Sequence, residues 1–104
     1  MDANTPVRII MNWDITPHRE QEYFDFVVRE FIPGVKRIGL ELNDAWATVY
    51  GDRPQILVTA RVDNLPKARA LLLRNEWTRL LDQLLELVTD FDLKIVEARS
   101  GFQF

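Results

Sequence analysis

Hydrophobic periodicity along this chain switches between two and 3.6 residues in a fixed order, and that order restricts the fold more than any single residue does. Val7, Ile9, Met11 and Trp13 alternate with Arg8, Asn12 and Asp14, the pattern of a half-buried strand. Ile10 is the one apolar residue on its polar side. Thr16-Pro17 then predicts a helix start, because the hydroxyl can cap free N–H groups and proline suits the first helical position. Glu20 and Glu22 suit the positive end of that helix dipole. Phe24, Val27, Val28 and Phe31 follow as one apolar stripe, and Pro33-Gly34 is expected to end the helix.

From Lys36 to Tyr50 the chain reads as extended, with Ile38, Leu40 and Leu42 in alternation and a bulge or short turn expected at Asn43-Asp44. Gly51-Asp52-Arg53-Pro54 is turn chemistry between antiparallel strands. Gln55 to Val62 alternates most cleanly, with Ile56, Val58, Ala60 and Val62 against Gln55, Thr59, Arg61 and the apolar Leu57. Asp63-Asn64-Leu65-Pro66 starts a second helix, which Asn75-Glu76 is expected to break and recap. Trp77, Leu80, Leu81, Leu84, Leu85 and Val88 form its long stripe, and Phe91 to Arg99 reads as a last strand. Phe102 and Phe104 in the tail are expected to pack on a sheet edge or a partner chain.

The resulting order, β-α-β-β-α-β, with right-handed crossovers gives an α+β, ferredoxin-like antiparallel sheet with both helices on one face. The other face then carries Ile10 and Leu57 among polar residues, with Trp46 and Tyr50 still to place. That mixture is too apolar for free solvation and too polar for a dry core. Two such sheets packed face to face would close a barrel around a partly polar cavity, so a homodimer is expected.

Composition narrows the function classes. With 104 residues, 47% of them hydrophobic and 28% charged, the chain suits one globular domain spanning residues 1–104. A formal net charge of −3 argues against nucleic-acid binding, which needs surplus Lys and Arg. A sheet that stacks RNA bases is excluded as well, since Gln55 to Val62 holds no aromatic residue. Without cysteine there is no thiolate nucleophile and no zinc–thiolate site. No secretory leader and no membrane-length apolar run is evident, so the expectation is a cytoplasmic protein with no membrane partner.

Met11-Asn12-Trp13-Asp14-Ile15-Thr16-Pro17-His18-Arg19-Glu20-Gln21-Glu22 resembles the first strand and helix start of the dimeric α+β barrel superfamily. The resemblance is to its antibiotic-biosynthesis-monooxygenase-like and NIPSNAP-like members. Ile32-Pro33-Gly34-Val35 resembles their Pro-Gly turn, and Asn75-Glu76-Trp77-Thr78-Arg79-Leu80-Leu81 their second-helix restart. The resemblance spans nearly the whole chain and implies a dimeric barrel. Haem-degrading members pair an asparagine like Asn12 with a tryptophan and a histidine, where this chain has Leu71 and Leu81. No haem, and no other cofactor, is implied. Cofactor-independent quinol-oxidising members hold an anionic phenol with asparagine, tryptophan and arginine, roles that fall by analogy to Asn12, Trp46 and Arg61.

The chemistry-bearing residues are therefore few. Asn12, His18 and Arg61 are the catalytic candidates, and Arg8, Asn12, Trp46, Thr59 and Arg61 the ligand-binding ones. His18 is the only histidine, placed near Asp14 at the end of the first strand. Its i,i+4 spacing to Glu22 would suit two helical metal ligands, but two are too few and no metal site is expected. Arg8, Glu41, Arg61, Glu97 and Arg99 are expected to line the second sheet face, where guanidinium groups would suit an acidic or phenolate ligand or neutralise neighbouring carboxylates. The expected function is binding of a small aromatic, phenolic or acidic molecule in the barrel cavity. The alternative is a monooxygenase-like oxidoreductase acting on an aromatic or quinol substrate.

Overall fold

The computed structural model describes residues 4–50 and 53–98, with the backbone alone described over 43–50 and 53–54. The elements run β1 (Val7–Ile15), α1 (Glu20–Phe26), a π-helical segment (Val27–Phe31), α2 (Ile32–Arg37), β2 (Glu41–Tyr50), β3 (Arg53–Val62), α3 (Leu65–Leu72), α4 (Asn75–Leu85) and β4 (Val88–Glu97). The sheet order is β2-β3-β1-β4 with every neighbouring pair antiparallel. Each helical connection therefore passes over one strand before returning to the sheet. This is the split βαβ, ferredoxin-like arrangement expected from the periodicity.

Burial on β1 alternates without exception, and the odd-numbered side chains from Val7 to Ile15 are the buried ones. They share a core with Ile56, Val58, Ala60 and Val62 of β3 and with Phe31, Val35, Leu71, Trp77 and Leu84 from the helices. Trp13 anchors it. Its ring stacks on Phe91 at 5.9 Å and meets Phe31 edge-on at 6.2 Å, while its Nε1–H donates to the Tyr23 hydroxyl at 2.9 Å.

The first helix departs from its expected bounds at both ends. Thr16-Pro17-His18-Arg19 forms a turn, with Arg19 N–H donating to the Thr16 carbonyl and His18 at φ 69, the left-handed third position of a type II pattern. The helix proper begins at Glu20. Pro33-Gly34 does not end it, since both residues lie within α2. In a regular α-helix the Pro33 ring would meet the carbonyl four residues back. Here the preceding turn is π-helical, with the Ile32 N–H reaching the Val27 carbonyl, and that wider turn relieves the clash. Gly34 serves packing instead: a Cβ there would sit 2.6 Å from Leu80 Cδ1, so glycine lets this helix approach α4 closely.

The true stop is Gly39, at φ 98. Its N–H donates to the Lys36 carbonyl and that of Leu40 to the Val35 carbonyl, a Schellman closure with Val35 and Leu40 both buried. Residues Lys36 and Arg37 are consequently helical, and β2 starts only at Glu41. The wide turn also explains a corrected stripe. Inward positions recur every four residues at Tyr23, Val27, Phe31 and Val35, which leaves Phe24 and Val28 54% and 65% exposed.

The second half follows expectation more closely. The β2–β3 register shifts between Leu42 and Asp44, the expected bulge. Asn64 caps α3, its side chain accepting from the Lys67 N–H at 2.8 Å, and the helix breaks and restarts before Trp77 with Arg74 at the cap position. Val88 belongs to β4 rather than to the helix stripe, and β4 ends at Glu97. Arg53 and Pro54 are strand residues, while Gly51 and Asp52 of the expected turn lie outside the described residues, as do Arg99, Phe102 and Phe104.

Candidate functional site

Helices cover only one side of the sheet, so the candidate site is the other. Side chains alternate, and the register of β1 against β3 places Arg8 opposite Arg61, Ile10 opposite Thr59, Asn12 opposite Leu57 and Asp14 opposite Gln55, all on the open face. From β4 the same face receives Val96, Lys94 and Asp92, level with Arg8, Ile10 and Asn12. From β2, Glu41 stands level with Arg61 and Trp46 with Leu57, the Trp46 side chain lying outside the description.

Four nominated residues, Arg8, Asn12, Thr59 and Arg61, are thus brought to one surface. The face is neither wet nor dry. Arg8, Ile10, Asn12, Asp14, Leu57 and Val96 are half-buried, and Thr59 is only 5% exposed. Among the described residues, Arg8 Nε and Thr59 Oγ1 lie buried there with no hydrogen-bond partner. Arg8, Arg61 and Lys94 stand in one half, with Glu41 level with Arg61 and Asp44 level with Thr59, and Asp14 and Asp92 stand in the other.

Other expectations change. Glu97 stands level with Val7, on the helix-covered side, because β4 carries its apolar Leu93 and Ile95 in that phase. It does not join the charged lining, and Lys94 and Asp92 do. The signal was present in the alternation of Phe91, Leu93 and Ile95, which fixes the core phase of β4 and leaves the even positions outward. One extra residue near Asp90, at φ 55, shifts that phase before Thr89.

His18 is exposed in the β1–α1 turn, outside any helix, so its spacing to Glu22 is not a helical pair. Its backbone N–H donates to Glu20 Oε1 at 3.0 Å. The Glu22 carboxylate is engaged by Arg19 at 2.8 Å, and the guanidinium holds it below the usual carboxylate range. Arg19 also donates to the Glu86 carbonyl at the C-terminal end of α4, a cation where the helix dipole is negative. Among the described residues, no three His, Cys, Asp or Glu side chains gather as metal ligands would.

Two clefts flank the far end of the sheet. One, of about 410 Å³, runs from Lys36 and Gly39 to Arg61 and Lys67, whose ammonium is already paired with Asp63 at 3.2 Å. The other, of about 290 Å³, is lined by Ile32, Val35, Leu40 and Leu42 beside β2. Arg61 therefore borders both the open face and an end cleft. No helix among the described residues is long and apolar enough to cross a membrane.

Sheet order, crossovers and one bare face define the fold of the NIPSNAP-like and antibiotic-biosynthesis-monooxygenase-like α+β proteins. A NIPSNAP-like domain protein from Burkholderia xenovorans matches with a TM-score of 0.69 at 18% identity, covering 96% of this chain and 90% of that one. A NIPSNAP family protein from Agrobacterium tumefaciens matches with a TM-score of 0.69 at 17% identity over 96% and 91%. SnoaB, a cofactor-independent oxygenase from Streptomyces nogalater, matches with a TM-score of 0.70 at 13% identity over 93% and 96%. At such identities the likeness is one of fold. No protein-family model matches the chain, and neither does any curated protein.

Proposed function

We propose that this chain works in the cytoplasm as one domain that pairs with a second copy through its open sheet face, enclosing a cavity for a small aromatic, phenolic or acidic molecule. The observation that carries this reading is the half-burial of Ile10, Leu57 and Val96 beside Arg8, Asn12 and Thr59 on a face no helix covers. Leaving such a face in water keeps apolar area exposed at roughly 25 cal/mol per Å². Stacking two faces removes that area while the polar residues keep a wet, shaped interior. Arg8, Asn12, Trp46, Thr59 and Arg61 are the residues assigned to the ligand. No cofactor is required by this reading.

A second reading is a monooxygenase-like enzyme acting on an aromatic or quinol substrate in the same cavity, with Asn12, His18 and Arg61 as the chemical groups. It is favoured by the fold shared with a cofactor-independent oxygenase. His18 contributes least to it, since it stands in an exposed turn away from Arg8 and Thr59. Oxygen uptake on addition of a hydroquinone, lost in Asn12→Ala, would favour catalysis over binding.

Native mass spectrometry of the purified full chain, followed by the same sample denatured, tests the main reading. The expected spectrum is twice the chain mass, with any excess released on denaturation. A monomer at micromolar concentration overturns the pairing.

A further inference from the structure

On the open face two buried polar atoms have nothing to bond, and they sit close together. Arg8 is level with Arg61, and Thr59 precedes Arg61 by two residues, so Arg8 and Thr59 are diagonal neighbours on one face. Diagonal pairs stand roughly 7–8 Å apart, within reach of an arginine side chain. Thr59 is 95% buried by its 5% exposure, and its Oγ1 has no partner, nor has Arg8 Nε. A buried N–H or O–H left unpaired costs about 1–3 kcal/mol, so native structures rarely keep two together without a use.

Both atoms can donate, and both want an acceptor. Arg8, itself a cation, fixes its sign. Arg8 and Arg61 face each other across the β1–β3 pair, and Lys94 stands opposite Ile10 from β4. Glu41 of β2 stands level with Arg61 and Asp44 level with Thr59, so the excess of positive charge lies on the β1–β4 side of this end, at Arg8 and Lys94. The opposite half of the face, at Asp14 and Asp92, would repel the same group. An anionic group is therefore favoured at the Arg8 end of the face, on the side toward β4.

We infer that Arg8 and Thr59 form an oxyanion anchor, so that the ligand of this face is a small carboxylate whose charged group lies at the Arg8–Thr59 end and whose body runs toward Asn12 and Leu57. This rests on the reading of the open face as a ligand cavity and sharpens it, since a neutral aromatic molecule would leave both donors unpaired. Arg8 supplies the charge, through a guanidinium suited to planar carboxylates. Thr59 supplies a directional O–H. Asn12, four residues along β1 from Arg8, touches the body of the ligand rather than its charge.

Benzoate and its neutral isostere benzamide separate the possibilities, each titrated calorimetrically into the full-length protein. Benzoate is expected to bind and benzamide to bind far more weakly. Arg8→Gln is expected to weaken benzoate about 10- to 100-fold, and Thr59→Val about 3- to 10-fold. Thr59→Val keeps the side-chain shape and deletes the orphan hydroxyl, so it is also expected to raise the melting temperature of the ligand-free protein. Equal binding of the two probes, binding of neither, or benzoate affinity unchanged in both variants would overturn the anchor. A Thr59→Val variant that melts lower with unchanged benzoate affinity would assign the hydroxyl to a protein partner and overturn it too. Native masses of the same samples keep the two ideas apart. A wild-type dimer with no benzoate dependence on Arg8 and Thr59 sinks the anchor alone, whereas a monomer that binds benzoate through them sinks the pairing alone.

Discussion

On the helix-covered side of β1, Val7, Ile9, Met11, Trp13 and Ile15 are at most 2% exposed, while Arg8, Ile10, Asn12 and Asp14 on the same strand are half-buried. One backbone thus serves two environments, distinguished only by the parity of the residue number. The covered side satisfies what it buries. There Trp13 Nε1 donates to Tyr23 Oη, which pairs the buried indole N–H with an acceptor. The open side leaves Arg8 Nε and Thr59 Oγ1 unpaired. The covered face is finished as a core, and the open face is finished only by something placed against it.

Trp13 and Asn12, adjacent in sequence, make the sharpest test of that contrast. Trp13→Ala removes the ring that Phe31 and Phe91 pack on, and is expected to cost about 3–5 kcal/mol in urea unfolding. For a domain whose whole stability is about 5–15 kcal/mol, that approaches loss of folding. A cost under about 1 kcal/mol would show the covered face to be less completed than its burial implies.

Tyr23→Phe is the next largest effect on the covered side. It leaves the ring in place but strands the buried Trp13 N–H, and about 1–3 kcal/mol of stability should go with it. The pH dependence follows from the same contact. Burial raises the Tyr23 phenol above its ordinary value near 10, an effect partly offset by the Trp13 hydrogen bond. The unfolded chain then releases this proton at lower pH than the folded one. Stability from Tyr23 is whole below about pH 10 and falls as pH rises from there toward the folded value. Alkaline unfolding of the wild type should coincide with phenolate absorbance, and the Tyr23→Phe profile should be flatter over that range.

How much of this was legible in the sequence depends on which signal each residue carried. The strand phases of β1 and β3 could be read because five and four apolar residues repeat at a strict period of two, and a one-residue slip would expose all of them. The open face, with Ile10 and Leu57 as its apolar exceptions, came from the same alternation. The first helix was misread because Pro33-Gly34 is ordinarily punctuation, and nothing local announces that a π-helical turn can carry a proline past it. Gly34 answers to Leu80, a residue 46 positions away, and no neighbour-based reading reaches that far. Gly39 was the overlooked terminator, and Gly39→Ala tests its role. A Cβ there meets only Leu71 Cδ2 at 3.9 Å, so the expected loss of about 1 kcal/mol comes from the left-handed backbone rather than from a clash. The candidate site was legible residue by residue for Arg8, Asn12, Thr59 and Arg61. Lys94 and Asp92 were missed although the alternation of Phe91, Leu93 and Ile95 carries their parity, because Glu97 was placed on the open face in the opposite phase.

The smallest stability effect should belong to Asn12→Ala. Asn12 lies beside Trp13 in the chain, yet faces Leu57 and Asp92 on the open side and is half-buried. Truncating a partly solvated amide leaves no large void and changes stability by no more than about 0.5 kcal/mol. If the open face is a ligand surface, the same substitution weakens small-molecule binding while the melting temperature holds. Thermal unfolding and ligand titration on one preparation read both quantities together. A melting temperature that drops as steeply for Asn12→Ala as for Tyr23→Phe would make the open face structural, like the covered one. The distinction between the two faces would then reduce to solvent exposure, with no division of labour behind it.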